Sequence, residues 1–106
     1  MTLKGGYNSI VRQAQKLQSR LSKLQEELAE RTVEAQVGGG LVKVTINGNR
    51  EVVGLSVAPD VIDPDERESL EDLLVAAFNE AIKNVQDMID TETNKLTGGV
   101  NMPWMI

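Results

Sequence analysis

Between Ile10 and Leu28 the apolar residues Ile10, Ala14, Leu17, Leu21, Leu24 and Leu28 recur at alternating spacings of four and three. Two apolar positions in seven make a heptad seam, narrower than the stripe of an ordinary core-facing helix. With Asn8 or Ser9 as N-cap, the spacing predicts a helix over 8–30. Leu17, Leu21, Leu24 and Leu28 are its expected dimer or core contact. The period then changes to two. Val33, Ala35 and Val37 alternate with Thr32, Glu34 and Gln36, and Val42, Val44 and Ile46 with Lys43, Thr45 and Asn47. A third run places Val53, Leu55 and Val57 on one face. Gly38-Gly39-Gly40 separates the first two runs, and Asn47-Gly48, the favoured pair for a tight type I′ turn, follows the second. Short glycine-containing turns between consecutive strands predict a three-stranded antiparallel meander over 32–57.

Ala58-Pro59 ends the sheet, and Asp63-Pro64-Asp65-Glu66 opens a second helix over 63–96. Asp63 suits the N-cap, Pro64 the first helical position and Glu66 a capping box. Leu70, Leu73, Leu74, Ala77, Phe78, Ala81, Val85, Met88 and Ile89 form its buried stripe, and Gly98-Gly99 ends it. Residues 97–106 are a short tail containing Trp104. The order α-β-β-β-α defines one α+β domain over 1–106, with two long amphipathic helices.

Length sets the assembly. Strands of six or seven residues span roughly 20–23 Å, whereas the two helices would reach roughly 33 and 48 Å. Part of each apolar seam must project beyond the sheet, where a leucine stripe needs a cover. The first helix could fold back on the second as a hairpin. The narrow seam and the overhang favour a second copy of the chain, as a homodimer.

Composition narrows the chemistry. None of the 106 residues is Cys or His. Disulfides, thiolate nucleophiles, common zinc sites and imidazole acid–base catalysis therefore drop out together. Neither a signal-peptide pattern nor an apolar run of spanning length is present, so a cytoplasmic, non-membrane protein is expected. Net charge is −5, but its distribution is uneven. Residues 1–25 carry Lys4, Arg12, Lys16, Arg20 and Lys23 with no acid, and residues 26–106 carry a net −10.

Arg12, Lys16, Arg20 and Lys23 fall in one arc of the first helix, about 80° wide, beside the apolar seam. Most charge clusters of this kind are solvated helix faces. Here, however, the cations precede Glu26, Glu27 and Glu30 along the helix, the reverse of what the macrodipole prefers. Local helix stability does not explain that order, whereas a polyanionic partner would. The glycine run lies between two strands and lacks the Lys-Ser/Thr of a phosphate loop, so it is expected to be a hairpin loop. The acids of 60–72 lack EF-hand spacing, and capping plus solvation accounts for them without a metal. The apolar tail of Met102, Trp104, Met105 and Ile106 is expected to pack on the fold or a partner, or to serve as a docking peptide. No motif sets a carboxylate or lysine beside an activating group, so neither an enzyme nor a cofactor is expected.

Taken in order, Gly5-Gly6-Tyr7-Asn8, Gln13-Ala14-Gln15-Lys16-Leu17-Gln18, Gly38-Gly39-Gly40-Leu41-Val42-Lys43-Val44, Ile62-Asp63-Pro64 and Leu70-Glu71-Asp72-Leu73-Leu74-Val75-Ala76-Ala77-Phe78-Asn79-Glu80-Ala81 form a recognisable series. It resembles the YbaB/EbfC family of bacterial nucleoid-associated proteins over nearly the whole chain. The resemblance implies a tweezer-like homodimer with projecting helical arms that binds double-stranded DNA in the cytoplasm, at the nucleoid. It also points to replication or recombination proteins as further partners. DNA contact is carried over to Lys4, Arg12, Lys16, Arg20 and Lys23, through phosphates and with weak sequence preference. The rival expectation is a protein-interaction adaptor that docks through the heptad seam and the Trp104 tail.

Overall fold

The computed structural model describes residues 2–98, with side chains from Gly6 onward. The elements run α1 (Thr2–Glu30), β1 (Thr32–Val37), β2 (Val42–Asn47), β3 (Val52–Val57) and α2 (Arg67–Thr97). Two single 3-10 turns, Pro59–Val61 and Pro64–Glu66, link the sheet to α2. The fold is α+β in the expected order, and the sheet is an antiparallel meander with β2 at its centre. The tail with Trp104 and the side chain of Lys4 lie outside the described residues.

One small core holds the layers together. Ala35, Val42, Val44 and Ile46 face Ala77, Ala81 and Val85, and all are buried. Alanines at two of the α2 contact positions let the helix approach the pleated surface closely, and larger residues such as Leu70, Leu73, Phe78 and Met88 fill the margins. The expected stripe of α2 is thus the one used. This helix lies over β1 and β2; Asn84 Nδ2 donates to the Glu34 carbonyl at the β1 edge, at 3.3 Å.

Four local expectations change. First, α1 begins at Thr2 rather than at an Asn8 or Ser9 cap. Gly5 and Gly6 each cost about 1 kcal/mol of helix propensity but do not bar the helix as a proline would. Second, α2 proper begins at Arg67. Asp63 instead caps the 3-10 turn, its Oδ1 accepting from the Asp65 N–H at 3.0 Å, and the Glu66 carboxylate accepts from Ser69 rather than closing a capping box. The far end of α2 is as expected, with Gly98 left-handed at φ 65° and its N–H on the Asn94 carbonyl.

Third, β3 contains a bulge. Thr45 pairs with Gly54 but Ile46 pairs with Val52, which leaves Val53 as the extra residue. The bulge resets the alternation, so Val52, not Val53, joins Leu55 and Val57 on the α2 side of the sheet. Fourth, Asn47-Gly48 is not a two-residue type I′ turn. Four residues separate β2 from β3, and the left-handed one is Arg50 at φ 63°. Asn47 organises this loop, its side-chain oxygen accepting from the N–H groups of Asn49 and Glu51.

Gly48 has a different purpose. A Cβ there would sit 1.8 Å from the carbonyl oxygen of Leu28, and the Gly48 N–H donates to the Arg31 carbonyl at 3.1 Å. The loop between β2 and β3 is therefore pressed against the last turn of α1, where Leu28 is buried. Gly48→Ala must push that joint apart, and the expected cost is about 1–3 kcal/mol. Urea unfolding checks it; an unchanged midpoint would show that the approach does not matter.

Candidate nucleic-acid interface

The described residues extend over 79 × 20 × 16 Å, so both helices must run close to the long axis. Their 29 and 31 residues correspond to about 44 and 47 Å. End to end that is about 90 Å, so the helices overlap by only about 11 Å, or some seven residues of each. The overlap is at the C-terminal ends of both, where Arg31 Nη1 meets Glu92 Oε1 at 3.4 Å. The rest of α1 projects past the end of α2 as an arm. Tyr7 and Ile10, near its tip, are 68% and 66% exposed.

The arm carries the expected cations. Arg12, Lys16, Arg20 and Lys23 are all exposed. The three ion pairs among the described residues, Arg31–Glu92, Arg67–Glu71 and Lys95–Glu92, involve none of them. From Arg12 to Lys23 the row extends about 17 Å. Their charges are committed to no partner in the fold and point into water along one arc. Glu26, Glu27 and Glu30 stand at the root, where α1 meets the acidic body.

Cations outside the arm are differently placed. Arg31, Arg67 and Lys95 are paired, and Arg50 donates to the Gln86 side chain. Lys43 and Lys83 stand singly on the sheet and on α2. The acids of 60–72 spread over the turns and the start of α2, and among the described residues no group of three carboxylates converges as metal ligands. No described helix is long and apolar enough to cross a membrane.

A second surface escaped the reading of the sequence. β3 pairs with β2, yet α2 does not cover it, and Val52 and Leu55 on the α2 side of the sheet are 47% and 53% exposed. Asn84 marks the flank of α2 above β1. Val75 and Ile82 lie roughly opposite it around the helix, on the β3 side, and are exposed as well. β3 thus leaves an apolar strip that α2 does not cover, and α2 carries further exposed apolar residues on its β3 flank. The available signal was the surplus of Val75 and Ile82 beyond the main stripe of α2.

Replacing Arg12, Lys16, Arg20 and Lys23 together by Gln removes no ion pair among the described residues. Thermal melts are expected to shift by no more than a surface change allows, within about 0.5 kcal/mol. A large loss would mean that the arm uses these charges to hold itself.

A family model described as the YbaB/EbfC DNA-binding family matches residues 4–100. Among curated proteins, the chain is 48% identical over 101 residues to a nucleoid-associated protein of Thermoanaerobacter pseudethanolicus, covering 93% of this chain and 91% of that one. It is 46% identical over 98 residues to a nucleoid-associated protein of Clostridium novyi, covering 92% and 86%. Among solved structures, an uncharacterized protein from Helicobacter pylori superposes with a TM-score of 0.70 at 22% identity, over 83% of this chain and 92% of that one. That likeness concerns the fold.

Proposed function

This chain belongs to the YbaB/EbfC DNA-binding family, and from that premise we propose a nucleoid-associated protein of the bacterial cytoplasm. In this reading it acts as a homodimer that grips double-stranded DNA by the phosphates through two α1 arms. The supporting observation is the row Arg12, Lys16, Arg20 and Lys23, exposed and unpaired within the described residues on a helix that projects from an acidic body. Lys4, whose side chain lies outside the described residues, is a further candidate contact by sequence alone.

Duplex DNA carries one charge per roughly 1.7 Å of axis, and cations spaced along a rod meet several phosphates at once. The arc holds no Asn, and Gln only at intervening positions such as Gln13, so its cations are read as backbone contacts. Sequence preference is therefore weak. The net −10 of residues 26–106 repels DNA and confines it to the arms.

The proposed dimer uses the uncovered apolar face of β3 and the exposed flank of α2. β3 is an edge strand with an apolar face, a feature that soluble proteins pair or cover. A second copy supplies the same β3 and the same Val75–Ile82 flank, so a two-fold axis beside β3 would cover the exposed strand face of both copies. Leu55→Lys places a charge there without touching the core. The variant is expected to sediment as a folded monomer, and a dimer of unchanged stability would place the interface elsewhere.

Fluorescence anisotropy with duplex DNA tests the function. With about 4–8 phosphates neutralised per dimer, log K against log salt is expected to fall with a slope of roughly −4 to −7. Changing Arg12, Lys16, Arg20 and Lys23 to Ala should abolish binding at moderate salt while the dimer persists. Binding that is insensitive to salt, or unaltered in this variant, would refute the arm as the DNA site.

A further inference from the structure

The seam of α1 is only partly used within the described residues. Leu28 is buried at the joint, whereas Tyr7 and Ile10 near the tip are exposed. Between them a groove of about 580 Å³ runs along the arm, lined by Ala14, Leu17, Gln18, Leu21, Ser22 and Gln25. On a helical wheel these six span about 100°, centred roughly opposite the arc of Arg12, Lys16, Arg20 and Lys23. The groove can be filled without covering the cations.

We propose that this face pairs antiparallel with the same face of α1 from a second copy, joining chains that do not share a β3 contact. Periodicity, size and charge converge on that occupant. From Tyr7 to Leu28 the seam repeats at alternating spacings of three and four, and a helix of the same period follows such a seam over several turns without drifting off it. With a two-fold axis midway between Ala14 and Leu17, Ile10 of one arm meets Leu21 of the other and Tyr7 meets Leu24. Ala14 and Leu17 meet across the centre, small against large, and the exposed tip is covered. The flanks carry no opposed like charges, since Gln18 comes level with Val11 and Arg20 with Gln13.

Charge fixes the direction. Parallel arms would set the two roots, each with Glu26, Glu27 and Glu30, side by side, together with two bodies of like charge. Antiparallel arms instead bring the acid-free tip of each level with the acidic root of the other. Length then separates the arm partner from the β3 partner. The two Leu28 joints stand roughly 38 Å apart across such an axis, and each body extends away from the axis beyond its joint. Two β3 strands held that far apart cannot touch. The arm contact therefore takes the β3 dimer of the proposed function as its unit and links one dimer to the next. Both rows of cations stay on the outside of the pair.

Sedimentation velocity over a range of protein concentrations tests the pairing. The wild-type dimer is expected to give way to a tetramer as concentration rises, and Leu55→Lys, monomeric when dilute, to a dimer over the same range. Leu17→Gln with Leu21→Gln should remove this second step from both proteins, with helical circular dichroism retained. A wild type that never doubles, or doubling unaltered by the leucine changes, overturns the proposal. The chain has no cysteine, so introduced thiols report the direction of pairing. Val11→Cys protein mixed with Gln18→Cys protein should give, with a short bismaleimide, a two-chain product containing one of each. A product of Gln18→Cys linked to itself means parallel arms and overturns the pairing, as does no product at all. Every readout is independent of DNA, and Leu55→Lys alone reports on β3, so failure here is distinct from failure of the DNA or β3 readings.

Discussion

A sheet of three six-residue strands, roughly 20 Å long, has to anchor two helices of more than twice that length. α2 meets the constraint by lying across β1 and β2, with Ala77 and Ala81 allowing close approach to Val42, Val44 and Ile46. α1 cannot share that surface. It is held instead by its last turn, where Leu28 is buried and Gly48 presses against the Leu28 carbonyl. The ion pair between Arg31 and Glu92 spans the same joint, although both partners keep contact with water and such pairs add little. Everything N-terminal to the joint must project. The arm is a consequence of how little sheet there is.

Projection separates the charges in space as well as in sequence. On the body, Arg31, Arg67 and Lys95 are paired with carboxylates, while Lys43 and Lys83 stand singly rather than in a row. The four cations of the arm are beyond hydrogen-bonding reach of any described carboxylate. The order of charges along α1 runs against the helix dipole, at a cost of about 0.3–1 kcal/mol per charge at most. That cost is small enough for a partner's charge to outweigh it. The same geometry leaves an apolar seam beside the cations of the arm and an uncovered β3 on the body.

Much of this was legible in the sequence because periodicity reports burial directly. The switch from spacings of four and three to strict alternation at Thr32 marks the start of β1, and Gly98 ends α2 where a left-handed residue is needed. Other features depend on contacts between distant segments. Asn47-Gly48 reads locally as a type I′ turn, but Gly48 is required by the carbonyl of Leu28, twenty residues earlier. The bulge at Val53 shifts which valine faces α2, and nothing in Val52-Val53-Gly54 chooses between the two registers. The uncovered β3 was hidden for a related reason: its pattern shows an apolar face without showing that α2 lies over β1 and β2 instead. The four cations of the arm were legible because charge was the whole signal. That they lack partners within the described fold required coordinates.

The central claim is that DNA is confined to one face of the projecting arm. Amide chemical shifts recorded during titration with a short duplex test it residue by residue. The account predicts perturbations concentrated between Arg12 and Lys23, fading with added salt, while α2 and the outer face of the sheet around Lys43 stay unmoved. Perturbations centred on α2 or on the sheet, with the arm silent, would contradict it.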